Sequence, residues 1–263
     1  MDHARAVCES LDRAVGRAAG GARVAVAFSG GLDSGIVAAL AKRHAEKAVL
    51  YTAGADGSHD MRAGGDAASR LDMDWVPIVF DEASLESALR GMISATGTSD
   101  PLTLSFEAPL FFVCGACSER IVIGGQGADE AFAGYSKYVG LGEADLRSRI
   151  SEDLARLRGE VAEHERKVAS GFGKSVAYPF LDEGVLSAAA SIPFEDLRPQ
   201  GDGSRKGALR GAADLLGCPF LSERGKKAAQ YGSGATQMIR RMAKGRGMGY
   251  GEFISSLAAG AGP

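Results

Sequence analysis

Four histidines, four cysteines and one tryptophan stand among 263 residues, and each scarcity removes a class of function. His3, His44, His59 and His164 are scattered without metal-site spacing. No Ser-His-Asp arrangement can be read around them. Cys8, Cys114, Cys117 and Cys218 are too few to staple a secreted chain of this length. No apolar run approaches about 18 residues, so no membrane-spanning helix is expected. The start, Met-Asp-His-Ala-Arg, is polar and unlike a signal peptide. A soluble, cytoplasmic chain with no membrane partner is therefore expected. Internal repeats are absent. A net charge of −3 gives no general attraction for nucleic acid, which makes a nucleic-acid partner unlikely by composition.

The charge is unevenly spread, however. From Arg198 to Arg246 eleven Lys/Arg stand against three Asp/Glu, a local +8. This stretch reads as a solvated helical face, as a clamp on ATP and pyrophosphate, or as a patch for RNA.

The hydrophobic content of 45% is enough for a full core. Apolar periodicity predicts a leading helix over residues 2–19, stopped by Gly20-Gly21. Strands follow at Val24–Phe28, Lys47–Thr52, Trp75–Phe80 and Arg120–Ile123. Helices are predicted between them at Ser34–His44, from Ser58 as N-cap to Arg70, at Glu82–Ser94 and at Phe106–Cys117. This alternation predicts an α/β chain with a Rossmann-like parallel sheet and helices on both faces. Trp75 reads as a sheet-edge or core residue. After residue 140 strand signals stop, and helices are predicted within 141–170, 181–191, 204–216 and 234–243. Ala258–Pro263 reads as a frayed tail. The expected organisation is one domain over 1–263: a leading helix (1–20), a nucleotide-binding α/β core (23–140) and a helical C-terminal part (141–250).

Two glycine turns carry the chemistry. Strand one exits into Ser29-Gly30-Gly31-Leu32-Asp33-Ser34. Glycines let backbone N–H groups approach an anion, and the helix N-terminus supplies further donors. No Gly-Lys-Ser/Thr follows, and there is no Gly-x-Gly-x-x-Gly fingerprint. An aspartate beside phosphates makes sense with Mg²⁺ between them. Strand four exits into Gly124-Gly125-Gln126-Gly127-Ala128-Asp129-Glu130 and on to Ala133-Gly134-Tyr135. Ligands of parallel sheets sit at the carboxyl ends of the strands, so the exits of strands one, two and four should converge.

The first turn resembles the signature of the PP-loop ATP pyrophosphatases, which split ATP between the α- and β-phosphates. With the second turn, the chain resembles the synthetase domain of asparagine synthetase B and its relatives, including β-lactam synthetase. That family has Gly-Glu-Gly-Ser/Ala-Asp-Glu and then Gly-Gly-Tyr. Gly57-Ser58-His59-Asp60, Tyr178-Pro179-Phe180-Leu181-Asp182, Lys206-Gly207-Ala208-Leu209-Arg210 and the Arg-x-Lys-like segment Arg224–Gly234 resemble further family segments, over about Arg23 to Ala243. The fold implied is the adenine nucleotide alpha hydrolase-like one. The resemblance implies that Ser29, Gly30, Gly31 and Ser34 bind pyrophosphate and that Ala27 and Ala53 hold adenine through backbone groups. It also implies nucleotide contacts at Asp60, Gly125 and Gln126. Asp33 and Asp129 would be the catalytic Mg²⁺ ligands, and Lys206 would neutralise the departing pyrophosphate.

The departures fall on the acyl side. Gln126 replaces the glutamate of Gly-Glu-Gly and cannot accept a proton as a carboxylate can. Ser105 and Ala177 stand where the family has arginines, natural carboxylate clamps. Glu165-Arg166 is one residue out of step with the family's Asp-Arg pair. Asp2, not cysteine, follows Met1, and the segment before the first strand cannot hold a ~200-residue glutaminase domain.

The expectation is an ATP- and Mg²⁺-dependent ligase of asparagine synthetase type. It would adenylate the carboxylate of an amino acid, with ammonia or an amine as second substrate. A separate glutaminase subunit and a homodimer are further partner expectations. Two alternatives stay open. Cys114-Gly-Ala-Cys117 with Cys218 could serve a PP-loop tRNA-modifying enzyme of thiolation type. The chain could also be a degenerate nucleotide-binding member of the family.

Overall fold

The computed structural model describes residues 3–199, 205–223 and 232–259. Helix α1 (His3–Ala19) precedes β1 (Arg23–Ala27), α2 (Leu32–His44), β2 (Lys47–Gly54), α3 (His59–Leu71), β3 (Trp75–Val79), α4 (Glu82–Thr96), α5 (Pro101–Ala116) and β4 (Ile121–Ile123). Ser58 caps α3 as expected, accepting from the Met61 amide. Helix α5 starts earlier than its apolar period suggests. Asp100 accepts from the Thr103 amide, and Pro101 follows at the first helical position, where its missing N–H costs nothing.

The second half runs through α6 (Ala128–Ala131), α7 (Glu143–Arg156), a π-helical turn (Leu157–Val161), α8 (Ala162–Gly171), β5 (Ser175–Ala177), α9 (Glu183–Ala190), α10 (Phe194–Leu197), α11 (Gly207–Leu215), α12 (Ala235–Gly245) and α13 (Tyr250–Ala259). Strand β5 corrects the expectation that strands end before residue 140. Three residues are too few to show alternation. Pairing with β4, Ile121 to Ser175 and Ile123 to Ala177, defines the strand. Helix α13 corrects the frayed-tail reading in part. Ala258 and Ala259 complete a helix that buries Phe253, Ile254 and Leu257, and residues 260–263 lie outside the described residues. So does Arg224–Tyr231 of the Arg-x-Lys-like segment.

The five strands form a parallel sheet in the order β3-β2-β1-β4-β5, a Rossmann-like α/β architecture. Alternation assigns the faces. Val24, Val26, Leu50 and Ile123 enter one core with α1, α2 and α11. Ala25, Val49, Tyr51 and Val122 point the other way, against Leu110, Val113 and Cys114 of α5. Helices α4, α12 and α13 share a further apolar cluster with α5. Edge strand β3 tolerates Pro77. Trp75 ties that edge inward: its Nε1 donates to Thr52 Oγ1 at 2.9 Å, and Thr52 donates to the Phe28 carbonyl at 2.6 Å.

Strand β1 has β2 on one side and β4 on the other. The chain leaves β1 towards β2, so the crevice between the carboxyl ends of β1 and β4 is a topological switch point. Both glycine turns open there.

One exposed backbone position generates a stability prediction. Asp72 ends α3 at φ 51, in the left-handed region, with its side chain fully in solvent. Glycine takes that conformation without the Cβ penalty. Relief of that strain outweighs the exposed 3.4 Å pair with Lys42, so Asp72→Gly is expected to raise stability by about 0.5–1 kcal/mol, measured as a shift in urea midpoint at constant slope.

Candidate active site

The first turn is held by its own side chains. Ser29 and Ser34 hydroxyls lie 3.2 Å apart, Ser34 Oγ accepts from the Ser29 amide at 3.2 Å, and Gly31 N donates to Ser29 Oγ at 3.4 Å. Gly30 has φ 73, and a Cβ there would lie 2.3 Å from the backbone of Ala63 in α3. Both facts require glycine. Helix α2 then begins with Gly31 as N-cap and no side-chain cap. Its first amides are left to face the crevice, the arrangement that receives anions.

The second turn meets the first through Lys206. This lysine is 5% exposed and precedes α11 at φ 59, a strained conformation for a side-chain-bearing residue. Its Nζ lies 2.8 and 2.7 Å from the two carboxylate oxygens of Asp33 and 2.7 Å from Asp129 Oδ1. Residues far apart in sequence thus share one buried ammonium. Gly134 makes the room: a Cβ there would fall 2.1 Å from Asp129 Oδ1 and 2.2 Å from Lys206 Cε. Ala133, at φ 50, stands where the resembled Gly-Gly-Tyr has glycine.

A cavity of about 490 Å³ opens over these groups. Ala27, Ser29, Asp33, Ser34, Ala53, Asp60, Gly125, Gln126 and Asp129 all line it, while Gly30 and Gly31 form the turn behind and Lys206 lies against Asp33 and Asp129. Two carboxylates close enough to share one ammonium are hard oxygen donors at a phosphate cradle. That is the donor set Mg²⁺ takes when phosphates complete its shell, so the residues fit the ion. Among the described residues no cluster of three or more His, Cys, Asp or Glu could hold a metal by itself.

The asparagine synthase family model matches residues 6–157, more than half of the chain. The chain belongs to the asparagine synthase family. It is 28% identical to a putative glutamine-hydrolyzing asparagine synthetase of Methanocaldococcus jannaschii, over 95% of this chain and 54% of that protein. It is 28% identical to asparagine synthetase B of Escherichia coli K12, over 65% of this chain and 34% of that one. The chain thus spans about half the length of the archaeal relative and a third of the bacterial one. Among solved structures it is similar to NMN synthetase from Francisella tularensis, at 15% identity and TM-score 0.46, covering 98% of this chain and 85% of that one.

Away from the two turns, the cavity has a polar centre built around Glu165, which the sequence showed only as one residue out of step with the resembled pattern. Gln126 Nε2 donates to Glu165 Oε1 at 2.8 Å, and the Tyr178 hydroxyl donates to Glu165 Oε2 at 2.5 Å. Glu165 is 3% exposed yet lines the cavity. Burial pushes its carboxyl up to about 7, although the bonds from Tyr178 and Gln126 pull it back. Burial also raises Glu130, which accepts from the Tyr135 hydroxyl at 2.6 Å. Arg166, by contrast, points to Glu163 on the surface. Ser105 is buried with its hydroxyl on the Leu102 carbonyl, and neither it nor Ala177 lines the cavity. The π turn at Leu157–Val161 holds one more residue than an α turn. That is the size of the offset noted for Glu165-Arg166. The turn brings Asp153, Arg156, Leu157, Val161 and Glu165 along one cavity wall.

The cysteines do not assemble. Cys114 and Cys117 lie in the core between α5 and the sheet, while Cys218 packs into the cluster on the other face. Burial pushes the Cys114 thiol up to about 12, away from the thiolate that metal or sulfur chemistry needs. The basic stretch is also divided. Arg241 pairs with Glu82, Arg246 with Glu86, and Lys206 is buried.

Behind the cavity wall Glu107 is 1% exposed, and neither of its oxygens has a hydrogen-bond partner among the described residues. His164 Nδ1 stands 3.6 Å away. Burial, then the neighbouring Glu165 carboxylate, push Glu107 up to about 8 from an ordinary 4.5. Between these values the folded chain keeps a proton that the unfolded chain releases, so stability falls as pH rises from about 5 to about 8. Glu107→Gln is expected to lose less stability than the parent over that range, by on the order of 1–3 kcal/mol. Urea unfolding at both ends of the range measures the difference.

Proposed function

We propose that this chain is an ATP-dependent ligase that activates a carboxylic acid as its adenylate, releasing pyrophosphate, and then forms an amide with ammonia or an amine. The observation that carries the proposal is the Lys206 ammonium, held between Asp33 and Asp129 at the mouths of two glycine turns on adjacent strands. Asparagine synthetase homology supports the same reading.

In this reading the Ser29–Ser34 turn and the first amides of α2 receive the β- and γ-phosphates. Backbone groups at Ala27 and Ala53 face adenine at the strand ends. Asp33 and Asp129 would hold Mg²⁺, which when bound neutralises phosphate charge and orients the α-phosphate for attack. The acid's carboxylate oxygen attacks the α-phosphorus. Charge then builds on the bridging oxygen to the β-phosphate, and Lys206 offers a mobile ammonium to that developing charge. The amine next attacks the acyl carbon, the acyl C–O bond breaks with AMP leaving, and the amine must lose a proton. Gln126 cannot take it. Glu165, held by Gln126 and Tyr178 and pushed up to about 7, is a carboxylate that can. Ammonia would come from solution or from a separate glutaminase.

Lys206→Met is expected to lower pyrophosphate release about 10²–10³-fold while a non-hydrolysable ATP analogue still binds. Undiminished release would remove the lysine from the mechanism. For the second step, the rate of amide formation is expected to rise with pH through about 7, as Glu165 loses its proton. Glu165→Gln should abolish that limb and lower amide formation while leaving acid-dependent ATP–pyrophosphate exchange in place.

A further inference from the structure

We infer that the acid activated here is a monocarboxylate with an apolar body and no second anionic group, and that dicarboxylic amino acids are excluded. The inference rests on the ligase reading and names its substrate class.

The cavity has two unlike ends. At the nucleotide end, Tyr51, Ala53, Leu110 and Val113 belong to one apolar cluster beside the strand exits. The other end is walled by Leu102, Phe106 and Pro109 from α5 and by Leu157 and Val161 from the π turn. Helix α5 packs against α8, which continues from the π turn. Arg156, next to Leu157, lies near enough to Asp100, at the start of α5, to act on its carboxyl: burial would raise it, but bonds from Thr103 and the Arg156 charge hold it below its ordinary value.

Among the described residues the cations at this end are already engaged. Among the described residues only Lys137 and Arg156 bring positive charge to the lining. Lys137 Nζ is 2.8 and 2.7 Å from the oxygens of Asp153 and sits over the rings of Tyr135 and Tyr138. Arg156 donates to Glu160 at 3.2 Å, and its side chain is 64% exposed, so it stands at the mouth and not inside. The carboxyls Glu130, Asp153 and Glu165 outnumber them.

A substrate with a second carboxylate would have to draw Lys137 from Asp153, leaving that acid with the Tyr138 hydroxyl and no countercharge, or remain desolvated without a partner. An apolar chain meets neither cost and removes hydrocarbon from water against Leu102, Phe106, Leu157 and Val161. The reacting carboxylate itself is served from the phosphate end, so one anionic group is the number the described lining accommodates.

The test compares acids of equal length. Pyrophosphate release is measured with the intact chain, Mg²⁺, ATP and ammonia, using monocarboxylates from butanoate to octanoate, the dicarboxylates from succinate to suberate, and aspartate. The expected result is a kcat/KM that rises about threefold per methylene in the first series, with each monocarboxylate at least about 100-fold better than its dicarboxylate. Val161→Arg should improve dicarboxylates about tenfold and weaken the monocarboxylates. Aspartate or any dicarboxylate performing as well as its monocarboxylate overturns the inference and leaves the ligase reading standing. ATP binding without pyrophosphate from any monocarboxylate also overturns it. Failure to bind ATP at all removes the ligase reading, and the inference with it.

Discussion

The site depends on one buried ammonium. Lys206 enters from a left-handed turn before α11 and reaches carboxylates that leave two adjacent strands. A charge removed from water in this way is tolerable only with close opposite partners, and losing one partner of such a group costs about 3–5 kcal/mol. The contact therefore constrains more than charge. It sets the depth of the Asp33 turn, requires glycine at position 134 for clearance, and ties the helical second half of the chain to the sheet. It also draws two carboxylates together that would otherwise repel, which is the arrangement a divalent cation on a polyphosphate needs.

The two halves of the cavity are made by different means. The half at the glycine turns is built from backbone: short turns at adjacent strand ends, helix amides and glycines that admit close approach. The other half is built from side chains on α5, the π turn and α8, which come from separate parts of the sequence. Its polar centre is Glu165, whose carboxyl burial pushes up to about 7 against the pull of the bonds from Tyr178 and Gln126. A single inserted residue in the π turn suffices to change which side chains face that space, because every later position rotates on the helix face. Backbone cradles are preserved under side-chain change, whereas walls of this kind are rebuilt by it. Family membership accordingly says more about the glycine turns than about the wall opposite them.

The glycine turns, the first four strands and the order of helices between them were legible because each is a local pattern. Apolar alternation, N-caps and left-handed glycines act within a few residues, and the chain Ser29–Ser34 and Gly124–Asp129 carries its chemistry in consecutive positions. Strand β5 and the early start of α5 were not read. The first exists through its ladder with β4, and the second through an Asp-Pro cap outside the apolar period.

By itself, then, the sequence determined that an α/β sheet would present two acidic glycine turns at its carboxyl edge, and that Ser105 and Ala177 stand where the resembled family has arginines. Only the tertiary structure decided that Lys206 bridges both aspartates, that Glu165 and not Arg166 turns inward, and that Cys114 and Cys218 lie on opposite faces of the sheet. The reason is range. Turns and caps are settled by neighbours along the chain, whereas the pairing of buried charge and the facing of a helix wall are settled by what the rest of the fold places opposite them.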